Sequence, residues 1–176
     1  MLQPNGPGTA YQLLFSDEAS PASGLPSSFL AIYPGNWYLP AAGNRPYTYS
    51  NFAQSRDGRV SYNVPGKAAG GDVPKINRHD RWQMGLLRSR ADAVMMGDNT
   101  LRIEPDHIWN AQHIFPEDAA AFMELRRIEE RSPNPLLVVL SYDGNLDNNE
   151  APLLDAEKHI IFATTQRRAE RANDAK

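Results

Sequence analysis

The fold is decided by residues 51–58, Asn51-Phe-Ala-Gln-Ser-Arg-Asp-Gly58, and by residues 97–100, Gly97-Asp-Asn-Thr100, about forty positions later. The first stretch predicts a strand that runs into a tight, Gly-ended turn. The second predicts a strand end followed by a Gly-led turn with a hydroxyl group. Two strand ends of this kind, with a helix between them, are typical of the place where an α/β sheet binds a nucleotide.

The bulk composition is that of an ordinary globular protein. The chain has 176 residues, 41% of them hydrophobic and 22% charged, which favours one domain with a substantial core. The net charge of -3 provides no basic field for nucleic acid or an anionic membrane. No apolar run is long enough for a membrane span, and the first residues lack the pattern of a secretory signal. We therefore expect a cytoplasmic protein.

The sequence gives little support for a metal site or for thiol chemistry. The chain has no cysteine, which excludes disulfides, a thiolate nucleophile and Cys-type zinc or iron–sulfur sites. The four histidines show no metal-ligand spacing, so we expect no metal.

The predicted strands alternate with predicted helices. We expect strands at 47–54, 93–96, 136–140 and 159–163, with residues 59–63 pairing back on the first strand. The run Ala93–Met96 is continuously apolar, as in a strand buried on both faces.

Two main helices have recognisable ends. Asn77 is a plausible N-cap, with Asp80 at the third helical position, and this helix is expected to run to about Arg90. Pro116 opens the second helix. Its apolar stripe is predicted to contain Ala121, Leu125 and Ile128.

This order predicts an α/β fold, a three-layer α/β/α arrangement around a mostly parallel, mixed sheet. Residues 1–45 are expected to form an arm, with a short helix near 27–33, that packs on the domain or on a second subunit. Residues 46–166 would form the domain and 167–176 a polar tail.

The motifs at 51–59 and 79–102, the latter including Leu-Leu-Arg88-Ser and Asp-Ala-Val-Met-Met-Gly97-Asp-Asn-Thr100, resemble the reductase domain of riboflavin biosynthesis. That domain has the dihydrofolate-reductase-like fold. The usual pattern contains Ser-Leu-Asp-Gly, where this chain has Ser-Arg-Asp-Gly. The resemblance covers roughly residues 45–165. It implies that a hydride passes from NADPH to a ribosylamino-pyrimidine phosphate. The apolar arm, Leu13–Tyr38, separately suggests a contact in a homodimer.

The resemblance also implies roles by position. Thr100 would hydrogen-bond the cofactor, Glu104 would line the cleft, and Arg88 would reach the substrate phosphate. The expected cofactor-binding residues are Ala53, Gln54, Gly97, Asn99, Thr100 and Glu104. The expected substrate-binding residues are Asn51, Asp57, Asp72, Arg88 and His107. No catalytic residue is assigned, because hydride transfer mainly requires that the two reactants be placed together.

Simpler interpretations compete with these roles. Gly97 and Thr100 are common at strand ends and turns, and Asp57 is more simply a turn former. From the helix alone, Arg88 is a surface residue that compensates the helix dipole. Trp82 is expected in the core, and Trp109 at the border of the cleft.

Parts of the family pattern are not found. Nothing between Thr164 and Lys176 matches the Gly-rich pyrophosphate loop that the family carries with its last strands, so an incomplete sheet is expected. The zinc deaminase module that often accompanies the reductase is not in this sequence. Two alternatives stay open: a dihydrofolate-reductase-like activity on a pteridine, and a truncated half-domain without activity of its own.

Overall fold

The computed structural model describes residues 1–15, 24–35, 37–40, 43–142, 144 and 160–169. Its helices and strands, in chain order, are α1 (Ser27–Leu30), α2 (Arg78–Arg90), β1 (Ala93–Gly97), α3 (Asp98–Ile103), α4 (Ala111–Ile114), a 3-10 turn (Pro116–Asp118), α5 (Ala119–Ile128), β2 (Leu136–Leu140) and β3 (Ile160–Ala163). Within these ranges no helix is long and apolar enough to cross a membrane. The predicted strand start at His159 and the tail beyond residue 169 lie outside the described residues.

Helix α2 begins and ends through side-chain capping. The Asn77 side chain accepts hydrogen bonds from the backbone N–H groups of His79 and Asp80, which confirms the predicted N-cap. At the other end the buried Arg126 guanidinium donates to the backbone carbonyls of Arg88, Ser89 and Ala91. Carbonyls at a helix C-terminus have no partner within the helix, so Arg126 fixes where α2 stops.

The three strands form one parallel sheet in the order β1-β2-β3, which confirms the α/β prediction. Its inner face carries Met96, Leu137 and Val139, which pack with Leu101 of α3.

On the outer face, Met95 is 63% exposed, Ile161 49% and Leu140 44%. The prediction that Ala93–Met96 is buried on both faces is therefore wrong for the described residues, since Met96 is the buried residue of β1. The same face is exposed at Leu140 of the central strand β2 and at Ile161 of β3, so the described residues leave this face of the sheet uncovered.

A second apolar cluster joins α2, α5 and the N-terminal segment. Trp82, Phe122 and Phe29 are fully buried in it. Helices α2 and α5 approach closely at Gly85, where a Cβ atom would lie 2.7 Å from the Phe122 ring. The predicted stripe of α5 is right for Ala121 and Leu125, whereas Ile128 is 41% exposed and Phe122 takes the inner position.

Residues 47–54 form no strand, so the predicted first strand is wrong, and so is its pairing with 59–63. Tyr49 instead donates its hydroxyl to the Leu87 carbonyl and packs edge-on against Trp37. A strand is stable only beside a partner that accepts its backbone hydrogen bonds. Among the described residues no strand pairs with this segment.

Candidate functional site

The carboxyl ends of the three strands meet at one edge of the sheet. Asp98 follows β1, Ser141 follows β2 and Thr164 follows β3. The Ser141 hydroxyl donates to Asp98 Oδ2 over 2.7 Å, and Arg102 pairs with the same oxygen over 3.0 Å. Asp98, Ser141 and Thr164 line an open depression of about 530 Å³. Ligands of parallel α/β sheets bind at this edge.

Two features of this edge leave room for a ligand. The Thr164 hydroxyl is buried and has no hydrogen-bond partner among the described residues. A Cβ atom added at Gly97 would meet no protein atom within 4 Å, so packing does not require glycine there. Beside it, Asn99 is exposed and Thr100 half-buried in the first turn of α3. This edge of the sheet thus has open space at Gly97 and, in the Thr164 hydroxyl, a polar group without a hydrogen bond to the described residues.

A second group of polar residues surrounds Arg88, which is 8% exposed. Arg88 Nη1 lies 2.9 Å from His107 Nε2 and 3.4 Å from the Asn110 carbonyl oxygen. Its guanidinium lies 4.9 Å from the centre of the Trp109 ring, a cation–π distance. The interpretation of Arg88 as a surface residue is therefore wrong, because the segment after α3 folds over its side chain.

The environment of Arg88 sets the charge of its neighbours. Burial is the main reason that the pKa of His107 falls to about 3, and the positive charges of Arg88, His113 and Arg81 lower it further. His107 is therefore neutral at physiological pH and accepts the Arg88 hydrogen bond. Burial also lowers the pKa of Arg88 to about 10, with Glu104 acting in the opposite direction, so Arg88 stays charged.

No carboxylate is in direct contact with the Arg88 guanidinium in the part of the chain that the structure describes. Glu104 is directed elsewhere: Oε1 accepts from the Gly70 backbone N–H over 2.7 Å, and Oε2 lies 3.7 Å from His107 Nδ1. Among the described residues the Nε and Nη2 groups of Arg88 have no hydrogen-bond partner, and neither is among the fully enclosed polar atoms that lack one. These are the two donor groups that the described residues leave for another partner.

The Gly-rich loop before α2 reaches this group through Glu104. Asp72 accepts a hydrogen bond from the Ala69 N–H over 2.9 Å, which closes a turn within the loop. That turn presents the Gly70 N–H to Glu104. Asp72 therefore shapes the loop, and Glu104 links the loop to His107 and Arg88.

The upstream motif lies apart from both groups. Asn51 and Gln54 are exposed and Ala53 is half-buried. Asp57 is exposed, accepts from the Ser55 hydroxyl and pairs with Arg59 over 3.0 Å, as in a simple turn. Among the described residues no hydrogen bond, ion pair or ring contact joins 51–58 to 97–100. The structure thus brings together Arg88, Glu104 and His107, and separately Gly97, Asn99 and Thr100.

Sequence reasoning missed Ser141 and Thr164. Each directly follows a predicted apolar strand, so a search for hydroxyl residues at every strand end would have found both. No cluster of three potential metal-ligating side chains occurs within the described ranges.

The two groups are connected through α3. This helix begins at Asp98 on the strand-end edge and is followed by Glu104, which contacts the Arg88 group. Its six residues span about 9 Å at 1.5 Å per residue. The strand-end edge and the Arg88 group therefore lie at the two ends of one short helix.

The family is settled by comparison with known proteins. The model of the RibD C-terminal domain matches residues 46–175, and the chain belongs to that family. A solved pyrimidine reductase-like protein from Corynebacterium diphtheriae is 20% identical, with a TM-score of 0.41. The match covers 69% of this chain and 57% of that protein, so the chain spans little more than half its length. A search of the curated proteins finds no match.

Proposed function

We propose that the chain is the cofactor- and phosphate-binding part of an NADPH-dependent reductase that transfers a hydride to a ribosylamino-pyrimidine phosphate or a related pyrimidine. The observation that carries the proposal is Arg88, a buried guanidinium that has, among the described residues, no carboxylate in direct contact and two donor groups without a hydrogen bond. Family membership supports the reaction class.

A phosphate at Arg88 would compensate the buried positive charge of the guanidinium. A buried charge that lacks a counter-ion costs several kcal/mol, so buried cations are normally paired. A guanidinium can grip a phosphate with two parallel N–H bonds. A substrate phosphate would therefore supply the charge that the described protein residues leave out.

The cofactor would lie at the strand-end edge. Gly97 leaves space for close approach, and the unpaired Thr164 hydroxyl offers a hydrogen bond to a sugar or phosphate oxygen. Asn99 and Thr100 flank this space on α3. When bound, NADPH supplies the hydride, and the described residues bind and orient it beside the substrate.

Titration of NADPH fluorescence with the purified chain tests the cofactor assignment. We expect a dissociation constant in the micromolar range, as is typical of enzymes. Thr164→Val removes the unpaired hydroxyl and should weaken binding about three- to tenfold. Thr48→Val, at an exposed position that does not line the depression, is the matched control and should change it less than twofold. No detectable binding by a folded chain removes the proposal for this chain.

The substrate assignment is tested at Arg88. Turnover should be measured on a phosphorylated pyrimidine and on its unphosphorylated form, with wild type and Arg88→Ala. We expect Arg88→Ala to lose at least a hundredfold in kcat/KM on the phosphorylated substrate and little on the other. Equal losses on both substrates would point instead to a pteridine-type site or to a structural role for Arg88.

We also propose that the chain forms a homodimer. The side chains of Leu14 and Phe15 in the N-terminal segment are 88% and 84% exposed, in addition to the apolar outer face of the sheet. Contiguous exposed apolar surface favours association. Sedimentation with and without NADPH tests this, and a monomer at high micromolar concentration would refute it.

A further inference from the structure

We propose that His107 is a positioning residue: together with Trp109 it holds the Arg88 guanidinium as a two-pronged receptor that grips an oxyanion along its Nε–Nη2 edge. This inference rests on the proposed role of Arg88. It changes the expected role of His107 from contacting the substrate to orienting the residue that does.

The hydrogen bonds of Arg88 divide the guanidinium into two edges. Nη1 is engaged by the protein, through His107 Nε2 at 2.9 Å and the Asn110 carbonyl at 3.4 Å. The Nε–H and one N–H of Nη2 lie parallel on the other edge, which is the pair that matches two oxygens of a phosphate or carboxylate. Because the protein occupies Nη1, the edge left for a ligand is the bidentate one.

The Trp109 ring fixes the plane of this edge. The guanidinium lies 4.9 Å from the centre of the indole, and His107 packs 4.4 Å from the same ring. The indole N–H of Trp109 is itself buried without a partner among the described residues. Stacking restricts tilt while the His107 hydrogen bond restricts rotation in the plane, so Arg88 loses little freedom when an anion binds.

The orientation requires His107 to be an acceptor. Burial of the ring disfavours a proton on it most, and the charges of Arg88, His113 and Arg81 add to this effect, while Glu104 lies 3.7 Å from its other nitrogen. A protonated imidazole has no acceptor and would face the Arg88 N–H with another N–H. Burial and the surrounding positive charges therefore keep His107 in the neutral form, which can accept the Arg88 hydrogen bond.

The test uses the full chain, labelled with ¹⁵N, and follows the side-chain Nε–Hε signal of Arg88. Inorganic phosphate is the probe, with chloride added at equal ionic strength as the control for screening. The variants are His107→Leu, which removes the acceptor, and His107→Gln, which keeps one. His79→Gln changes a histidine outside the cluster. Urea unfolding at the same pH reports whether each variant is folded.

We expect phosphate, and not chloride, to shift the Arg88 signal in the wild type. His107→Leu should weaken phosphate binding about tenfold, while His107→Gln stays within about threefold of the wild type, as does His79→Gln. If His107 had a purely structural role, phosphate affinity would change only with the stability of the variant. Recovery of phosphate affinity in His107→Gln, at unchanged stability, therefore indicates that His107 positions Arg88. Should His107→Leu fail to fold, His107→Phe fills the ring volume without the acceptor, with the same expected loss.

The inference is overturned by a folded wild-type chain whose Arg88 signal ignores phosphate. Equal phosphate affinities of the folded Leu or Phe variant and the wild type also overturn it. Phosphate binding without any NADPH binding would refute the proposed reductase function and leave this inference standing. NADPH binding by a chain whose Arg88 signal does not respond to phosphate would overturn this inference and leave the proposed reductase function standing.

Discussion

Replacing Gly85 by alanine gives opposite expectations from the sequence and from the structure. In the middle of α2, alanine should stabilise the helix by about 1 kcal/mol relative to glycine. The structure places a Cβ atom at this position 2.7 Å and 2.8 Å from two carbons of the Phe122 ring. Carbon atoms do not approach so closely, so either the ring or a helix must move.

The ring has little room to move. Phe122 is fully buried, and its ring centre lies 5.9 Å from that of Trp82 and 6.1 Å from that of Phe29. Overpacking of a core by one carbon costs about 1–3 kcal/mol. After the helix gain of about 1 kcal/mol is subtracted, we expect Gly85→Ala to lower the free energy of unfolding by about 1 kcal/mol.

Urea unfolding of four proteins tests this: wild type, Gly85→Ala, Phe122→Leu and the double variant. Phe122→Leu alone should cost about 1–3 kcal/mol through lost packing. The double variant should be less destabilised than the sum of the singles, because the smaller side chain vacates the space that the new methyl group needs. A Gly85→Ala chain more stable than the wild type would refute the close approach of α2 and α5.

Three further outcomes are expected. Arg126→Met should lower the free energy of unfolding by about 3 kcal/mol in urea, because it removes the guanidinium donor shared by the Arg88, Ser89 and Ala91 carbonyls at the end of α2. Asn77→Ala should cost about 1 kcal/mol in the same assay through loss of the N-cap, and Asn77→Ser much less. Because the pKa of His107 is lowered to about 3, the unfolded chain takes up a proton at a pH where the folded chain does not. The stability linked to this group is complete above about pH 6.5 and is lost as the pH falls toward 3, on the order of 2 kcal/mol between pH 7 and 5, and His107→Gln should remove most of that change.

The parts of the fold that the sequence predicted well depend on neighbours along the chain. The N-cap at Asn77 and the proline that opens the turn before α5 act within one helical turn. The strands Ala93–Gly97 and Leu136–Leu140 are short apolar runs between clear breaks. Such signals are local, so a single sequence contains them.

The prediction of a strand at 47–54 was wrong because the pairing of two strands is not a local property of the sequence. Residues 47–54 have the side chains of a strand, but the pattern carries no information on whether a neighbouring strand is there to accept its backbone hydrogen bonds. The burial of β1 was misjudged because it also depends on tertiary packing. Its apolar run fits a strand that is covered on both faces, and the run carries no information on whether another element covers the outer face of the sheet.

In the candidate site, too, the local features could be predicted and the tertiary ones could not. Gly97 and Thr100 could be found from their place at the end of an apolar run. The setting of Arg88 could not, because it is built by His107, Trp109 and Asn110 some twenty residues further along. The position of Arg88 in the last turn of α2 favoured the dipole interpretation, and only tertiary packing shows that the side chain is covered.

The short helix α3 explains why two motifs with separate signals belong to one site. Its first residue, Asp98, takes part in the strand-end network through Ser141, and Glu104 directly after it reaches both His107 and the Gly70 N–H. A shift of α3 along its axis would therefore change the strand-end edge and the surroundings of Arg88 together. Because the sheet fixes one end and the buried Arg88 group fixes the other, α3 would set how the two proposed ligands are placed relative to each other. Hydride transfer requires such placement, because the nicotinamide and the acceptor carbon have to be brought together.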